Sequence, residues 1–345
     1  MPPLEVSTLH ICRDEAFGVS YCSAPCDPVE IVIPWRFREL MDHEGDDVRE
    51  NIPQAERPYA ALSRGELRDE AVKLLGAAPR GPVSDEEYEL HYEYIRRVRK
   101  EESSTHRRHS RRGVYDDERA AGHERLLDTL EEDDREIPCE GRVILLGGLS
   151  GAGKGTLLES RPELVEEGFA LMNPDRIKVT MIEEGLGLPF DGLLPLESDE
   201  LIRYEATVLD QRLVERALAK RQNIVIDRTM RSVKTFLKLR DAFDEHGYEE
   251  VRGIFVDVDP QEGYRRARAR HRTGLDSYLA SGQGLGERPI PGSVVVSSTP
   301  QGESPYRSTN AETFQELFLE GIFTATPRIF DGFAQEVSLP GLRRP

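Results

Sequence analysis

A glycine-rich segment with one lysine, GGLSGAGKGT at residues 147–156, has the residue types and the spacing that bind phosphate groups. It follows an apolar run at 143–146 and precedes a helical pattern, which is the strand–loop–helix order of a phosphate-binding loop. Backbone N–H groups would face di- or triphosphate oxygens, and the lysine would contact the terminal phosphates. The residues predicted to bind nucleotide are Gly148, Ser150, Gly151, Ala152, Gly153, Lys154, Gly155 and Thr156.

Gly155 stands where such loops commonly carry the Ser or Thr that ligates Mg²⁺. In this respect the loop resembles that of nucleoside monophosphate kinases, so the glycine does not argue against phosphoryl transfer. It makes the metal more dependent on carboxylates and water. ATP and Mg²⁺ are the predicted cofactors, with Thr156 and Asp227 as candidate metal ligands.

Two further apolar runs lead into acidic residues, in FALMNPDRIK (169–178) and QNIVIDRTMRS (222–232). Ligands of open α/β sheets bind beyond the carboxyl ends of the strands. Asp175 is therefore a candidate general base for an attacking hydroxyl. It is equally suited to a helix start capped by Asn173, and the two interpretations are compatible. Asp227 could associate with the metal, position the acceptor or pair with Arg231, and Thr229 and Arg231 are candidate acceptor-binding residues.

The segment DPQEGYRRARARHRTG carries five arginines, of which one or two could neutralise charge on the transferred group while the others are solvated. They are Arg265, Arg266, Arg268, Arg270 and Arg272. Arg268 is the one assigned to catalysis. Arg288 is the second catalytic candidate, because it lies on a glycine-flanked loop that could close over the site. The region 273–304, rich in Gly, Ser and Pro, is predicted to be a mobile loop.

Apolar runs alternate with amphipathic stretches from residue 142 onward, which predicts an α/β fold with a parallel sheet flanked by helices. Residues 1–138 read instead as a mostly helical N-terminal extension, and 139–345 as the phosphate-binding domain. The helices of the extension are predicted in SRGELRDEAVKLLGAA, SDEEYELHYEYIRRVRKEE and YDDERAAGHERLLDTLEEDD. The basic tract 99–113 between the last two could touch phosphates, but a solvated helix end and loop is the preferred interpretation.

The chain has 345 residues, with 46 Lys and Arg against 64 Asp and Glu, and a net charge of −18. Such an acidic chain would be repelled by nucleic acid and by anionic membranes, which argues against both as partners. With no apolar run of membrane-spanning length and no signal-like start, the expected location is cytoplasmic. Four cysteines do not make a disulfide framework; three lie near His10, in an irregular spacing that argues against zinc: Cys12, Cys22 and Cys26.

Residues 142 to about 335 resemble the zeta toxin family of P-loop kinases. The likeness rests on GLSGAGKGT, LMNPDRIK, YEATVLDQRLVERALAKRQ leading into NIVIDRTMRS, the arginine-rich segment and GIFTATPRIFDG. It implies ATP-dependent phosphorylation of a hydroxyl on a UDP-amino sugar, typically UDP-N-acetylglucosamine. It further implies that Asp175 activates the sugar hydroxyl and that Asp227, Thr229 and Arg231 line the acceptor pocket. An acceptor-binding acid of the family falls near Asp210 and Gln211.

The family resemblance also implies a partner, since separate antitoxins restrain its kinases. The extension could serve that purpose in cis, by covering the nucleotide site, or it could be an independent partner-binding module. Two other functions remain open from the residues alone. One is a nucleoside monophosphate or antibiotic kinase, which the K-G-T loop favours; the other is a nucleotide-binding regulator without catalysis.

Overall fold

The computed structural model of the chain describes residues 59–165 and 168–338. The first part is helical, as the sequence predicts. Its elements are α1 (Arg64–Gly76), α2 (Asp85–Glu101), α3 (Thr105–His109), β1 (Ser110–Arg111), β2 (Val114–Tyr115) and α4 (Asp117–Asp133). The candidate zinc ligands His10, Cys12, Cys22 and Cys26 lie outside the described residues.

Local sequence fixes where the first two long helices begin. The Ser63 side chain accepts a hydrogen bond from the backbone N–H of Glu66, whose carboxylate accepts from the backbone of Ser63 in return. Ser84 and Glu87 form the same reciprocal arrangement at the start of α2. Each pair satisfies backbone donors that have no partner inside the helix, which explains why the predicted starts are confirmed. The basic tract 99–113 forms the end of α2, then α3 and a short hairpin.

A six-stranded sheet forms the centre of the second part. Its strands are β3 (Arg142–Gly148), β4 (Ala170–Met172), β5 (Ile224–Arg228), β6 (Glu250–Asp257), β7 (Arg328–Asp331) and β8 (Glu336–Val337). They lie in the order β4-β5-β3-β6-β7-β8, and all neighbours are parallel except the antiparallel pair β7 and β8. The phosphate-binding loop follows the inner strand β3, at the edge of the sheet where β4 and β5 also end.

The helices of this part are α5 (Lys154–Ser160), α6 (Pro174–Glu183), α7 (Asp199–Ala219), α8 (Val233–Glu245), α9 (Pro260–Ser281), α10 (Ser293–Ser298) and α11 (Thr309–Leu319). They cover both faces of the sheet. Val143 and Leu145 of β3 belong to a core shared with α6, α7, α8 and α11, whereas Ile144 and Leu146 belong to a second core that includes α5. Successive strand residues point to opposite faces, so a continuously apolar strand requires cover on both. The predicted fold class is confirmed.

The prediction of a loop over 273–304 is wrong in two places, because α9 continues to Ser281 and α10 lies further on. Leu275 and Leu279 are fully buried against α1 and α2. Packing explains why a glycine, Gly274, lies inside helix α9. A Cβ at this position would lie 2.5 Å from the side chain of Glu287. Burial against the extension therefore outweighs the low helix propensity of the Gly- and Ser-rich sequence.

The extension packs directly on the part of the chain that contains the six-stranded sheet. Leu126, Leu127 and Leu130 of α4 are buried in the same core as β3 and α7. The boundary at 138 remains a prediction, but helices and strands on its two sides share one core. No helix in the described ranges is both long and apolar enough to cross a membrane.

Candidate active site

The phosphate-binding loop depends on glycine for its shape. Gly148, Gly151 and Gly153 have φ angles of +138°, +78° and +98°. These lie in the region that L side chains rarely adopt. At Gly151 there is also no space, because a Cβ would lie 2.1 Å from the carbonyl oxygen of Gly263 in α9. The loop and helix α9 are therefore in backbone contact, which places the first turn of α9 directly beside the phosphate-binding loop.

Lys154 is the first residue of α5, and its ammonium group folds back along the loop. Its Nζ donates hydrogen bonds to the carbonyl oxygens of Gly148 at 2.7 Å and Leu149 at 3.3 Å. It also lies 3.6 Å from Oδ1 of Asp227. The side chain is 14% exposed. The amine is thus held at the mouth of the loop, where it can contact terminal phosphates of a nucleotide.

Asp227 connects this lysine to the next strand of the sheet. Its Oδ2 accepts a hydrogen bond of 2.9 Å from Nδ2 of Asn173. The side chain is only 15% exposed, so the negative charge is held in place by Lys154 on one side and an amide on the other. From the sequence, an ion pair between Asp227 and Arg231 was one of the alternatives. Arg231 lies just beyond the end of β5, and its side chain is exposed.

The described part of the chain contains no group of three or more His, Cys, Asp or Glu side chains that could hold a metal. Mg²⁺ commonly takes one or two protein oxygens and completes its shell with phosphate and water. Asp227 is a carboxylate beside the loop, and Thr156 is exposed in the first turn of α5. A Cβ at Gly155 would meet nothing within 4 Å, so space does not dictate glycine there.

Asp175 lies in the first turn of α6, two residues beyond Asn173. Asn173 Oδ1 accepts a hydrogen bond of 2.8 Å from the backbone N–H of Asp175, which fixes the turn. The carboxylate is 36% exposed. Within the described residues its ionic contacts fall on one oxygen, Oδ1, which lies 2.5 Å from Nη1 of Arg288 and 3.5 Å from Nζ of Lys178. A capped helix start and a reactive carboxylate are thus compatible.

Lys178 and Asp199 belong to the same group of charges, and neither was singled out from the sequence. Lys178 Nζ lies 3.0 Å from Oδ2 of Asp199, and the two side chains are buried, at 5% and 6% exposed. Burial alone would raise the pKa of Asp199, but the charges of Lys178, Arg99 and Arg288 outweigh burial and lower that pKa. The spacing of Asp175 and Lys178, three positions apart on a helix, was the one signal in the sequence.

Arg288 lies on the loop between α9 and α10, here named the Arg288 loop (residues 283–292). The sequence predicted a catalytic role for Arg268 as well as for Arg288. In the structure Arg268 contacts the extension instead. Its Nη2 lies 2.6 Å from Oε1 of Glu89. Its guanidinium also stacks over the rings of Tyr88 and Tyr92. A catalytic role for Arg268 remains a prediction.

The other four arginines of the segment contact four different parts of the chain. Arg265 pairs with Glu262 on the surface, Arg270 lies 3.3 Å from Glu287, and Arg272 pairs with Asp85 of α2. Arg266 lies close to the phosphate loop. Its Nη1 donates to the carbonyl oxygen of Gly332 at 2.9 Å, and a Cβ on Gly153 would lie 3.9 Å from that same nitrogen.

The candidate acceptor residues follow β5 in a constrained turn. Met230, between Thr229 and Arg231, is buried and has a φ of +57°. The Thr229 carbonyl oxygen accepts a 2.5 Å hydrogen bond from Asn310 Nδ2. A non-glycine residue keeps a positive φ only where the surrounding structure imposes it. The backbone directions at the adjoining Thr229 and Arg231 are therefore well defined.

Asp210 is fully buried and pairs with Arg228, at the end of β5. Arg228 Nη1 also donates to the carbonyl oxygen of Met172, at 3.2 Å. The fully buried acid thus links α7 to the ends of β4 and β5. Gln211, the alternative position for the family's acceptor-binding acid, is half-buried.

A mainly parallel sheet, a glycine loop with its lysine, and Arg288 in contact with Asp175 are the features of a P-loop kinase. A family model described as "Zeta toxin" matches residues 124–318, more than half of the chain. The chain belongs to the zeta toxin family, and the resemblance noted from the sequence is confirmed. It is therefore a phosphotransferase of the P-loop class that uses a nucleotide.

Solved structures similar to the chain include one from the PezAT chromosomal toxin-antitoxin system of Streptococcus pneumoniae. It is 18% identical with a TM-score of 0.47, and the match covers 65% of this chain and 81% of that chain. Two structures of the AvrRxo1-ORF1:AvrRxo1-ORF2 complex, with sulphate ions and with ATP, are 17% and 16% identical, with TM-scores of 0.43 and 0.40. Each match covers 64% of this chain and 65% of that chain. No curated protein matches the chain.

Proposed function

We propose that this chain transfers the γ-phosphoryl group of ATP to a hydroxyl of a UDP-amino sugar such as UDP-N-acetylglucosamine. The supporting observation is the connected series Lys154, Asp227 and Asn173, which leads from the phosphate loop to Asp175. It brings a partly exposed carboxylate to the same edge of the sheet as the phosphate-binding amine. The sugar itself is proposed from the family resemblance.

In this proposal Asp175 removes the proton from the acceptor hydroxyl, using Oδ2 while Oδ1 is held by Arg288 and Lys178. The oxygen then bonds to the γ-phosphorus, the bond from that phosphorus to the β–γ bridging oxygen breaks, and ADP leaves with the electron pair. Lys154 and Arg288 balance the charge on the transferred group. Mg²⁺, when bound, would neutralise phosphate charge, with Asp227 and Thr156 as its protein oxygens.

Thr229 and Arg231 would contact the acceptor from the turn after β5, with Asp227 at its base. As a zeta-type toxin the chain would also need restraint in the cell that makes it. A separate antitoxin is the partner that family membership favours. Restraint in cis by the extension is the alternative, and the two differ in whether the purified chain is active.

The test is to incubate the full chain and Mg·ATP with UDP-sugars, nucleoside monophosphates and aminoglycosides, and to measure phosphate incorporation into each. We expect a UDP-amino sugar to be phosphorylated. Asp175→Asn should lower the rate about 10²–10⁴-fold with ATP affinity nearly unchanged, because only the proton acceptor is lost. Asp241→Asn, on the exposed face of α8, is the matched control and should retain the rate.

Lys154→Ala should lose nucleotide affinity together with activity, since the amine is proposed to contact phosphate in every state. Phosphorylation of a nucleoside monophosphate or an aminoglycoside instead would reject the UDP-sugar assignment and keep the kinase. Tight ATP binding with no product from any acceptor would favour a regulator and overturn the proposed chemistry.

A further inference from the structure

The last turn of α2, in the extension, reaches the loop that carries Arg288. Arg99 Nη2 donates one hydrogen bond to the carbonyl oxygen of Pro289 at 2.6 Å and another to Oδ1 of Asp199 at 2.8 Å. Its side chain is 11% exposed. Pro289 directly follows Arg288, whose guanidinium contacts Asp175. A single side chain of the extension thus ties the backbone of the Arg288 loop to the first residue of α7.

Buried polar contacts hold α2 in place around this arginine. His91 Nε2 and His271 Nε2 lie 2.9 Å and 3.1 Å from the same oxygen, Oε1 of Glu197, and all three side chains are fully buried. The Tyr92 hydroxyl donates to the carbonyl oxygen of Ile290 at 2.6 Å. These contacts fix α2 against α9, the turn before α7, and the Arg288 loop. The guanidinium is therefore presented from a rigid helix.

Lys178 and Arg99 both contact Asp199. Lys178 stands between two carboxylates, at 3.0 Å from Asp199 and 3.5 Å from Asp175. Arg99 supplies a second cation to Asp199, on its other oxygen. Without it, the buried Asp199 would have Lys178 as its nearest cation and would draw the ammonium away from Asp175, because attraction between charges is strong where water is excluded.

We infer that Arg99 is a positioning residue for phosphoryl transfer: it holds the Arg288 loop over Asp175 and leaves Lys178 shared with that carboxylate. The inference rests on the proposed role of Asp175 as the base. By this inference the extension contributes to phosphoryl transfer. In-cis restraint requires the opposite effect, since loss of an inhibitory contact raises activity.

The test uses Arg99→Met in the full chain, which keeps the length of the side chain and removes both hydrogen bonds and the charge. Misplacement of a charged group by about 1 Å can cost about a hundredfold in rate, so we expect kcat to fall about tenfold to a hundredfold. The KM for ATP should stay within about twofold, because the phosphate loop is untouched. Arg99→Lys keeps the charge and should recover part of kcat.

Arg97→Met is the matched control on the same helix. Arg97 contacts Ala60, Glu93 and Glu101, all within the extension, and should lose packing without changing kcat. An unchanged or raised kcat in Arg99→Met overturns the inference, as does an equal loss in Arg97→Met or an absence of rescue by lysine.

A second measurement separates this inference from the proposed function. If the wild-type chain phosphorylates no acceptor, the proposed function fails on its own, whatever Arg99 does. Amide hydrogen exchange over residues 283–292 is then decisive for the tether, because it needs no substrate. Exchange should rise in Arg99→Met and remain at the wild-type level in Arg97→Met. Equal protection of this loop in both variants would overturn the inference.

Discussion

Removal of Arg119 from α4 tests whether the extension is energetically part of the kinase. Arg119 Nε and Nη2 lie 2.6 Å and 3.0 Å from the two oxygens of Glu205 in α7, and Nη2 also donates to the carbonyl oxygen of Leu186 at 2.6 Å. The arginine side chain is 7% exposed and that of Glu205 is fully buried. Arg119→Met would therefore leave a carboxylate without its main cation in the interior.

The expected cost follows from that burial. Burial alone would raise the pKa of Glu205, but hydrogen bonds from His123, Arg119 and Thr105 hold it at about 2, so the carboxylate is charged at neutral pH. Removing one partner of a buried pair costs about 3–5 kcal/mol. The retained contact with His123, 2.5 Å from Oε1, places this case toward the lower end. A cost of about 3 kcal/mol, at about 2–4 °C per kcal/mol, should lower Tm by about 6–12 °C.

The assay is urea unfolding followed by circular dichroism, with thermal unfolding alongside. Arg68→Met is the matched control, because Arg68 and its partner Asp69 are 51% and 69% exposed. Such surface pairs contribute about 0–1 kcal/mol. Adding Glu205→Gln to Arg119→Met removes the stranded charge and should recover stability. A loss from Arg119→Met no larger than that of the control would refute the reasoning.

Two further predictions concern the loop and a buried acid. Gly151→Ala should cost at least about 2 kcal/mol of unfolding free energy, because its φ is +78° and the Cβ would meet the Gly263 carbonyl oxygen. Gly155→Ala, in open space on α5, should be neutral or stabilising by up to about 1 kcal/mol, and equal thermal unfolding of the two variants would contradict this. Burial raises the pKa of Asp257, and Arg307, 3.6 Å away, opposes this only in part. A folded-state pKa above the unfolded value gives stability that is present below about pH 4 and is lost as the pH rises through the folded pKa. Asp257→Asn should therefore gain stability relative to wild type at pH 7 and lose that advantage near pH 4; a difference that does not vary with pH in urea titrations would count against it.

Local spacing was enough to predict the phosphate loop, the buried strand before it and the serine-capped helices. Each of these depends on residues within a few positions of one another, such as Ser63 with Glu66. The end of α9 was mispredicted for the same reason. Its Gly- and Ser-rich sequence favours a loop locally, and only burial of Leu275 and Leu279 against the extension keeps it helical.

The charged residues around Asp175 show which contacts can be predicted from sequence spacing and which cannot. Lys178 is three positions away on the same helix, a signal that the sequence carries. Arg288 is 113 positions from Asp175, and Arg99 is 100 positions from Asp199. No periodicity in the chain relates such positions, so the involvement of the extension could not be predicted from the residues alone.

The sequence by itself determined that this chain binds a nucleotide on a parallel sheet, because glycine conformations, strand hydrophobicity and helix caps are set by near neighbours. Only the tertiary structure decided which arginines face Asp175. Arg268 lies against Glu89 of α2, while Arg288 reaches the carboxylate from a loop tied down by Arg99. The packing of the helices determines which carboxylate each arginine can contact. That packing depends on contacts between residues far apart in the chain.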